Sequence, residues 1–144
     1  MNPFTEMLQT HPGKPTHHFD EIAAAIQACF ECAQITTICA DACLAENDQD
    51  LAMLRECIRL DLDTSDICIA TGRLIARQAR PEPALWRAAL EACIQACKSC
   101  AAECAKHQDR HDHCRVCMEA CERCAQACQT ALDALPQGGA ETRH

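Results

Sequence analysis

Residues 114–128 read CRVCMEACERCAQAC. Cysteine recurs there at positions 114, 117, 121, 124 and 128, in alternating steps of three and four. At ~3.6 residues per turn, the thiols of Cys114, Cys117, Cys121, Cys124 and Cys128 fall within about 80° of arc on one helix face. The spacing repeats upstream. ACIQACKSCAAEC, residues 92–104, carries Cys93, Cys97, Cys100 and Cys104, and CFECAQITTICADAC, residues 29–43, carries Cys29, Cys32, Cys39 and Cys43 with Thr36 in the gap. The stretch between them holds Cys57 and Cys68, about 20° apart by the same helical arithmetic. Thr64 and Thr71 stand where it could have carried further thiols. Each segment thus presents an a/d-type stripe that must face the axis of a helical bundle.

The breaks agree with that reading. Four helical segments are predicted, over about Asp20–Ala45, Gln49–Ala79, Ala84–His107 and Asp112–Leu135. Asp48 is a candidate N-cap for the second segment and Asp112 for the fourth, while Pro83 suits the first position of the third. Breaks this short join antiparallel neighbours. The fold class expected is all-α, an antiparallel up-down-up-down four-helix bundle over residues 19–135. Residues 1–18 form an N-terminal segment in which Phe4, Met7, Leu8 and His11 share helical spacing, as a short extra docking helix would. Pro136-Gln137-Gly138-Gly139 ends the last segment, and 136–144 is expected to be a disordered tail.

Composition narrows the function. The chain has 144 residues, enough for one domain, and 15 are cysteine. Leu, Ile, Val and Phe together number only 24, against 26 Ala. The aromatic set is one Trp, three Phe and no Tyr, which excludes a large aromatic core. A net charge of −8 disfavours nucleic acid and anionic membrane surfaces. No run reaches the ~18 apolar residues of a membrane span. The N-terminus, MNPFTEMLQTHPGKPTHH, has neither the basic and apolar regions of an export signal nor a twin arginine. A cytoplasmic location is therefore expected, where thiols stay reduced and point to metal or redox chemistry.

Free cysteine can be plain packing. Thirteen inward cysteines on three helices, where bundles place Leu, forgo apolar burial worth roughly 0.8 kcal/mol per methylene. Same-helix disulfides fit poorly, because Cβ atoms at i and i+4 are ~5–6 Å apart and a disulfide wants roughly 3.5–4.5 Å. Zinc and iron–sulfur clusters want four-cysteine sets, and several Zn²⁺–thiolate₄ centres would each leave negative charge in a narrow core. Cu(I) is soft, favours thiolates, and as a monocation gives a neutral core at one ion per thiolate. Its two-coordinate form needs sulfurs ~4.6 Å apart, taking the zinc–thiolate length as proxy, a separation that i,i+4 pairs can supply. The class expected is a multi-metal thiolate protein. A buffer for other soft or borderline metals, such as Zn²⁺ or Hg²⁺, is the alternative. A thiol–disulfide redox protein would want one exposed low-pKa cysteine beside a resolving partner.

The three quoted stretches resemble the bacterial copper storage proteins, in their cytosolic, signal-less branch, over about residues 20–135. The resemblance implies a four-helix bundle that assembles as a homotetramer and fills its interior with several Cu(I) ions held by the fifteen cysteines, without catalysis. A copper chaperone or low-molecular-weight copper carrier is the expected partner.

The two ends of such a bundle differ. One collects Cys43, Met53, Cys57, Cys104, His107, His111, His113, Cys114 and Met118 and reads as a mouth. His107 continues its cysteine stripe, and Met53 lies four residues before Cys57; both are candidate ligands. His111 and His113 suit a ligand role or a solvated loop equally, and Met118 a ligand role or packing. Asp61, four residues after Cys57, faces the stripe as a ligand or as an acceptor for thiol or hydroxyl hydrogen bonds. Glu31, Glu91, Glu103, Glu119 and Glu122 are expected to point outward. The other end gathers Ile22, Ile26, Leu74, Ile75, Leu85, Trp86, Leu90, Leu132 and Leu135 as an apolar plug.

Overall fold

A computed structural model describes residues 2–13 and 18–136. The described residues form five helices: α1 (Pro3–Gln9), α2 (Phe19–Leu44), α3 (Asp48–Ala76), α4 (Pro83–Ala105) and α5 (Asp112–Asp133). No strand occurs among the described residues. Beyond Pro136, the expected tail lies outside the described residues.

Local chemistry sets the helix ends. Asn47, rather than Asp48, caps α3: its side chain accepts from the Asp50 N–H, and Asp48 is already helical. Asp112 is likewise inside α5, behind His111 at the cap position, where no side-chain cap bond forms. Pro83 opens α4 as expected. Helix α3 stops at Ala76, short of Ala79, where Arg77 turns extended.

Helices α2 and α4 each pack against both α3 and α5, closing a four-membered ring. Cross-links show the opposed senses. Along α3, Cys57, Thr64 and Thr71 meet Cys104, the Ala96 carbonyl and the Ala89 carbonyl of α4 in reverse order. Along α2, Cys29, Cys32 and Cys39 meet Cys128, Cys121 and His113 of α5 in the same manner. This is the up-down-up-down bundle.

Ile26, Leu54, Ile75 and Leu90 are the large apolar side chains buried most completely. The plug forms as expected around Ile22, Ile26, Ile75, Trp86, Leu90 and Leu135, whereas Leu85 is 46% exposed and takes no part. Gly72 lets α3 approach α2: a Cβ there would stand 3.2 Å from the Phe30 ring and 3.3 Å from the Cys29 Cβ. Helix α1 docks on α2 through Leu8, which is buried, and Phe4, whose ring lies 6.2 Å from Phe30. Met7 points away from it.

By length and composition α2 could cross a bilayer, with a mean hydropathy of 1.4 over its most apolar window. Its Ala, Ile and Cys content raises that mean although polar residues such as Gln27, Glu31 and Gln34 interrupt it, so no unbroken run of ~18 apolar residues occurs. Half of that window is buried inside the bundle.

Candidate metal centre

All fifteen cysteines are free, and none is more than 2% exposed. They form one column along the bundle axis, so the arc arithmetic holds on every helix. The close sulfur contacts, however, run mainly between helices. Sγ–Sγ separations of 3.6 Å join Cys29 to Cys128, Cys68 to Cys93 and Cys57 to Cys104, and 3.8 Å joins Cys32 to Cys121. The i,i+4 pair Cys124/Cys128 follows at 4.0 Å. The expectation built on same-helix pairs therefore missed the shorter cross-helix ones, which depend on rotation and register. Three sulfurs around one Cu(I) at ~2.3 Å would stand about 4 Å apart, taking the zinc–thiolate length as proxy, so the column fits such an ion.

Towards the plug end, Cys29, Cys93, Cys124 and Cys128 form one set with all potential ligand atoms within 4.8 Å of one another, and Cys32, Cys68, Cys97 and Cys124 form a second. Thr36, Thr64 and Thr71 are fully buried at the column, and their hydroxyls donate to backbone carbonyls of Cys32, Ala96 and Ala89. Nearer the mouth, Asp61 joins two sets, one with Cys39, Cys57 and Cys104 and one with Cys100, Cys104 and Cys117. The outermost set is Cys39, Cys43, His113 and Cys114.

Asp61 has no exposed surface. Its Oδ1 accepts the thiols of Cys100 at 3.1 Å and Cys117 at 3.3 Å, and its Oδ2 that of Cys57 at 3.9 Å. Burial, reinforced by Cys117, Cys100 and Cys57, pushes its carboxyl up to about 12, so it is neutral at pH 7. The thiols titrate as a set. Hydrogen bonds, first from Cys104, lower the Cys57 thiol, and those from Cys124 and Cys128 lower that of Cys29. Cys124 is held well up by its bonds to Cys128 and Cys29. A thiolate formed in the column takes its neighbours' S–H groups as donors and keeps them protonated.

The mouth differs from the sequence expectation in four places. Met53 is 56% exposed, and Leu54, three residues before Cys57, takes the inward position. Positions i−3 and i−4 both neighbour i on a helix, and the apolar side chain with no water-facing use won the core. His107 lies past the end of α4, in the turn, where its Nε2 meets Glu103 at 3.0 Å and continues no stripe. Glu103 is buried rather than outward; burial alone would raise its carboxyl, but His107 and Lys106 outweigh this and hold it low. His111 is buried, not solvated, with Nδ1 3.0 Å from Glu46 and Nε2 3.8 Å from Asp50. His113 is brought to the thiols, its Nδ1 3.4 Å from Cys39 and 3.7 Å from Cys114. Met118 is half-buried against the core. Glu31, Glu91, Glu119 and Glu122 do point outward.

The fold and this column define a helical bundle with a buried multi-thiol metal site. The family model described as copper storage protein matches residues 18–133, and the chain belongs to that family. It is 35% identical over 94 residues to the uncharacterized cysteine-rich protein YhjQ of Bacillus subtilis, covering 65% of this chain and 80% of that one. It is also similar to Ccsp, the copper storage protein of Streptomyces lividans, solved with 10 copper equivalents. The TM-score is 0.88 at 42% identity, over 92% of this chain and 99% of that one. A second Ccsp structure, a cytosolic copper storage protein carrying five coppers, gives a TM-score of 0.79 at 45% identity over 81% and 96%.

Proposed function

We propose that this chain stores Cu(I) in the cytoplasm, several ions at a time, on the thiolates that line its bundle. The observation that carries the reading is the column of fifteen buried free thiols, in which cross-helix sulfur contacts of 3.6–3.9 Å recur from Cys29/Cys128 to Cys57/Cys104. Each incoming Cu⁺ displaces a thiol proton, so the interior stays neutral as it fills. A Zn²⁺ held by four thiolates would displace four protons and leave a net negative charge at each centre, which a narrow dry core penalises. Similarity to Ccsp, solved with 10 copper equivalents, supports copper over other soft metals.

The role is storage without catalysis. No cysteine offers the accessible thiolate that thiol–disulfide exchange uses. Fifteen cysteines, His113 and Asp61 are the proposed ligand set, with Met118, His107 and His111 beside the mouth and Met53 on its outer surface. The bundle spans 19–135 as one unit, assembles as a homotetramer, and exchanges copper with a chaperone or small carrier. Anaerobic titration of the reduced protein with Cu(I), against a calibrated chelator, tests the reading. Saturation near the cysteine count is expected; saturation at one or two ions overturns it. Size-exclusion chromatography with light scattering tests the tetramer.

A further inference from the structure

The mouth holds a carboxylate that no cysteine periodicity accounts for. Glu46 lies in the turn between α2 and α3, and its Oε2 stands 3.0 Å from the Nε2 of His113 and 3.0 Å from the Nδ1 of His111. The two rings are tilted at 35° to one another, centroids 5.5 Å apart. Asp50, fixed by Arg110 at 2.9 Å, stands behind His111. Glu46 is thus clamped between two imidazoles that reach it from α5 and its cap.

An ionised carboxylate can only accept hydrogen bonds. The Nε2 of His113 must therefore carry the proton. In the neutral ring that leaves the lone pair on Nδ1, the atom that faces Cys39 at 3.4 Å and Cys114 at 3.7 Å. With the proton on Nδ1 instead, the same ring would turn an N–H towards the sulfurs and leave Nε2 and the carboxylate in lone-pair repulsion. We propose that Glu46 is a positioning residue: by accepting the Nε2–H of His113 it keeps the Nδ1 lone pair turned to Cys39 and Cys114, ready for a soft metal ion. Metal-binding histidines are commonly oriented through the far nitrogen in this manner, and loss of the partner typically weakens binding about 10–100-fold. The inference rests on the storage reading for the identity of the metal, while the tautomer stands without it.

The test uses full-length, reduced protein labelled with ¹⁵N-histidine. Long-range NMR correlation of the metal-free form reads the tautomer of His113. Titration with Cu(I) in the presence of a competing chelator then reads the affinity of that site from the shift of its Nδ1 resonance. Wild type should show the Nε2–H form. Glu46→Gln, whose amide oxygen still accepts, should keep it and bind within a few-fold of wild type. Glu46→Ala should show a tautomer mixture and an affinity at His113 lower by about 10–100-fold. An Nδ1–H form in wild type, or a Glu46→Ala protein that holds Cu(I) at His113 within twofold of wild type, overturns the assignment. So does an equal loss in Glu46→Gln, because the acceptor is retained there. Failure of the storage reading would show separately, as saturation of wild type at one or two ions with the tautomer unchanged.

Discussion

Asp61 Oδ1 accepts the thiol of Cys100 at 3.1 Å across the bundle, with no solvent reaching either group. Its folded-state value of about 12 lies far above that of an exposed aspartate, about 4. Between those limits the folded chain holds one proton more than the unfolded chain, so stability is intact below about pH 4 and declines as pH rises. Asp61→Asn keeps an acceptor and removes the proton. The metal-free variant should exceed wild type in stability by on the order of 1–4 kcal/mol at pH 7, with the gap closing towards pH 4. Urea unfolding midpoints at pH 4.5, 6 and 7.5 read this; a gap that does not grow with pH refutes it.

Thr64 has no exposed surface and lies on the thiol column, so it is a thiol position spent on a hydroxyl. Thr64→Cys keeps the volume roughly constant and gives up one hydrogen bond to the Ala96 carbonyl, worth about 1 kcal/mol. The saturating copper number should rise above that of wild type in the anaerobic chelator titration, at a small cost in the metal-free urea midpoint.

Gly72 governs the spacing of α3 from α2, because a Cβ meets Phe30 and Cys29 at 3.2–3.3 Å. Gly72→Val adds a branched side chain at that contact and should cost about 1–3 kcal/mol by overpacking, despite better helix propensity. Copper capacity should fall as well, since Cys29 belongs to a four-thiol set. Unfolding and titration of the same preparation check both.

His113 and Leu132 mark opposite ends of α5. His113→Ala should change the rate at which a strong chelator strips copper while leaving the saturating number within one or two ions of wild type, because thiolates hold the load. Leu132→Ala should lower stability and leave the stripping rate unchanged. Met53→Leu should alter neither capacity nor rate, since that side chain is turned to water. Stopped-flow spectrophotometry with the chelator compares the three.

The thiol column was legible because helical periodicity is a local property: five cysteines spaced three and four apart on α5 have one way to share a face. Asp61, Thr36, Thr64 and Thr71 followed by the same arithmetic. The mouth resisted it. Met53 and Leu54 both neighbour Cys57, and only the packing shows which turns inward. His107 was extrapolated along a helix that ends at Ala105, so its ring went to Glu103. Glu46 and His113 are 67 residues apart, on a turn and a helix start, where no period connects them. The close Sγ contacts between helices depend on register, which the spacing within each helix leaves open.

With every cysteine at 2% exposure or less, the column shows almost no sulfur to the outer face, and an ion held on it lies beneath the helices. A molecule that samples only the outside touches the helix backs and not the load. Fullness is registered only at the mouth, by whether an arriving ion is kept or turned away. A cell can therefore accumulate the container well ahead of demand without changing what it adheres to, and must sense demand through the ions left outside it.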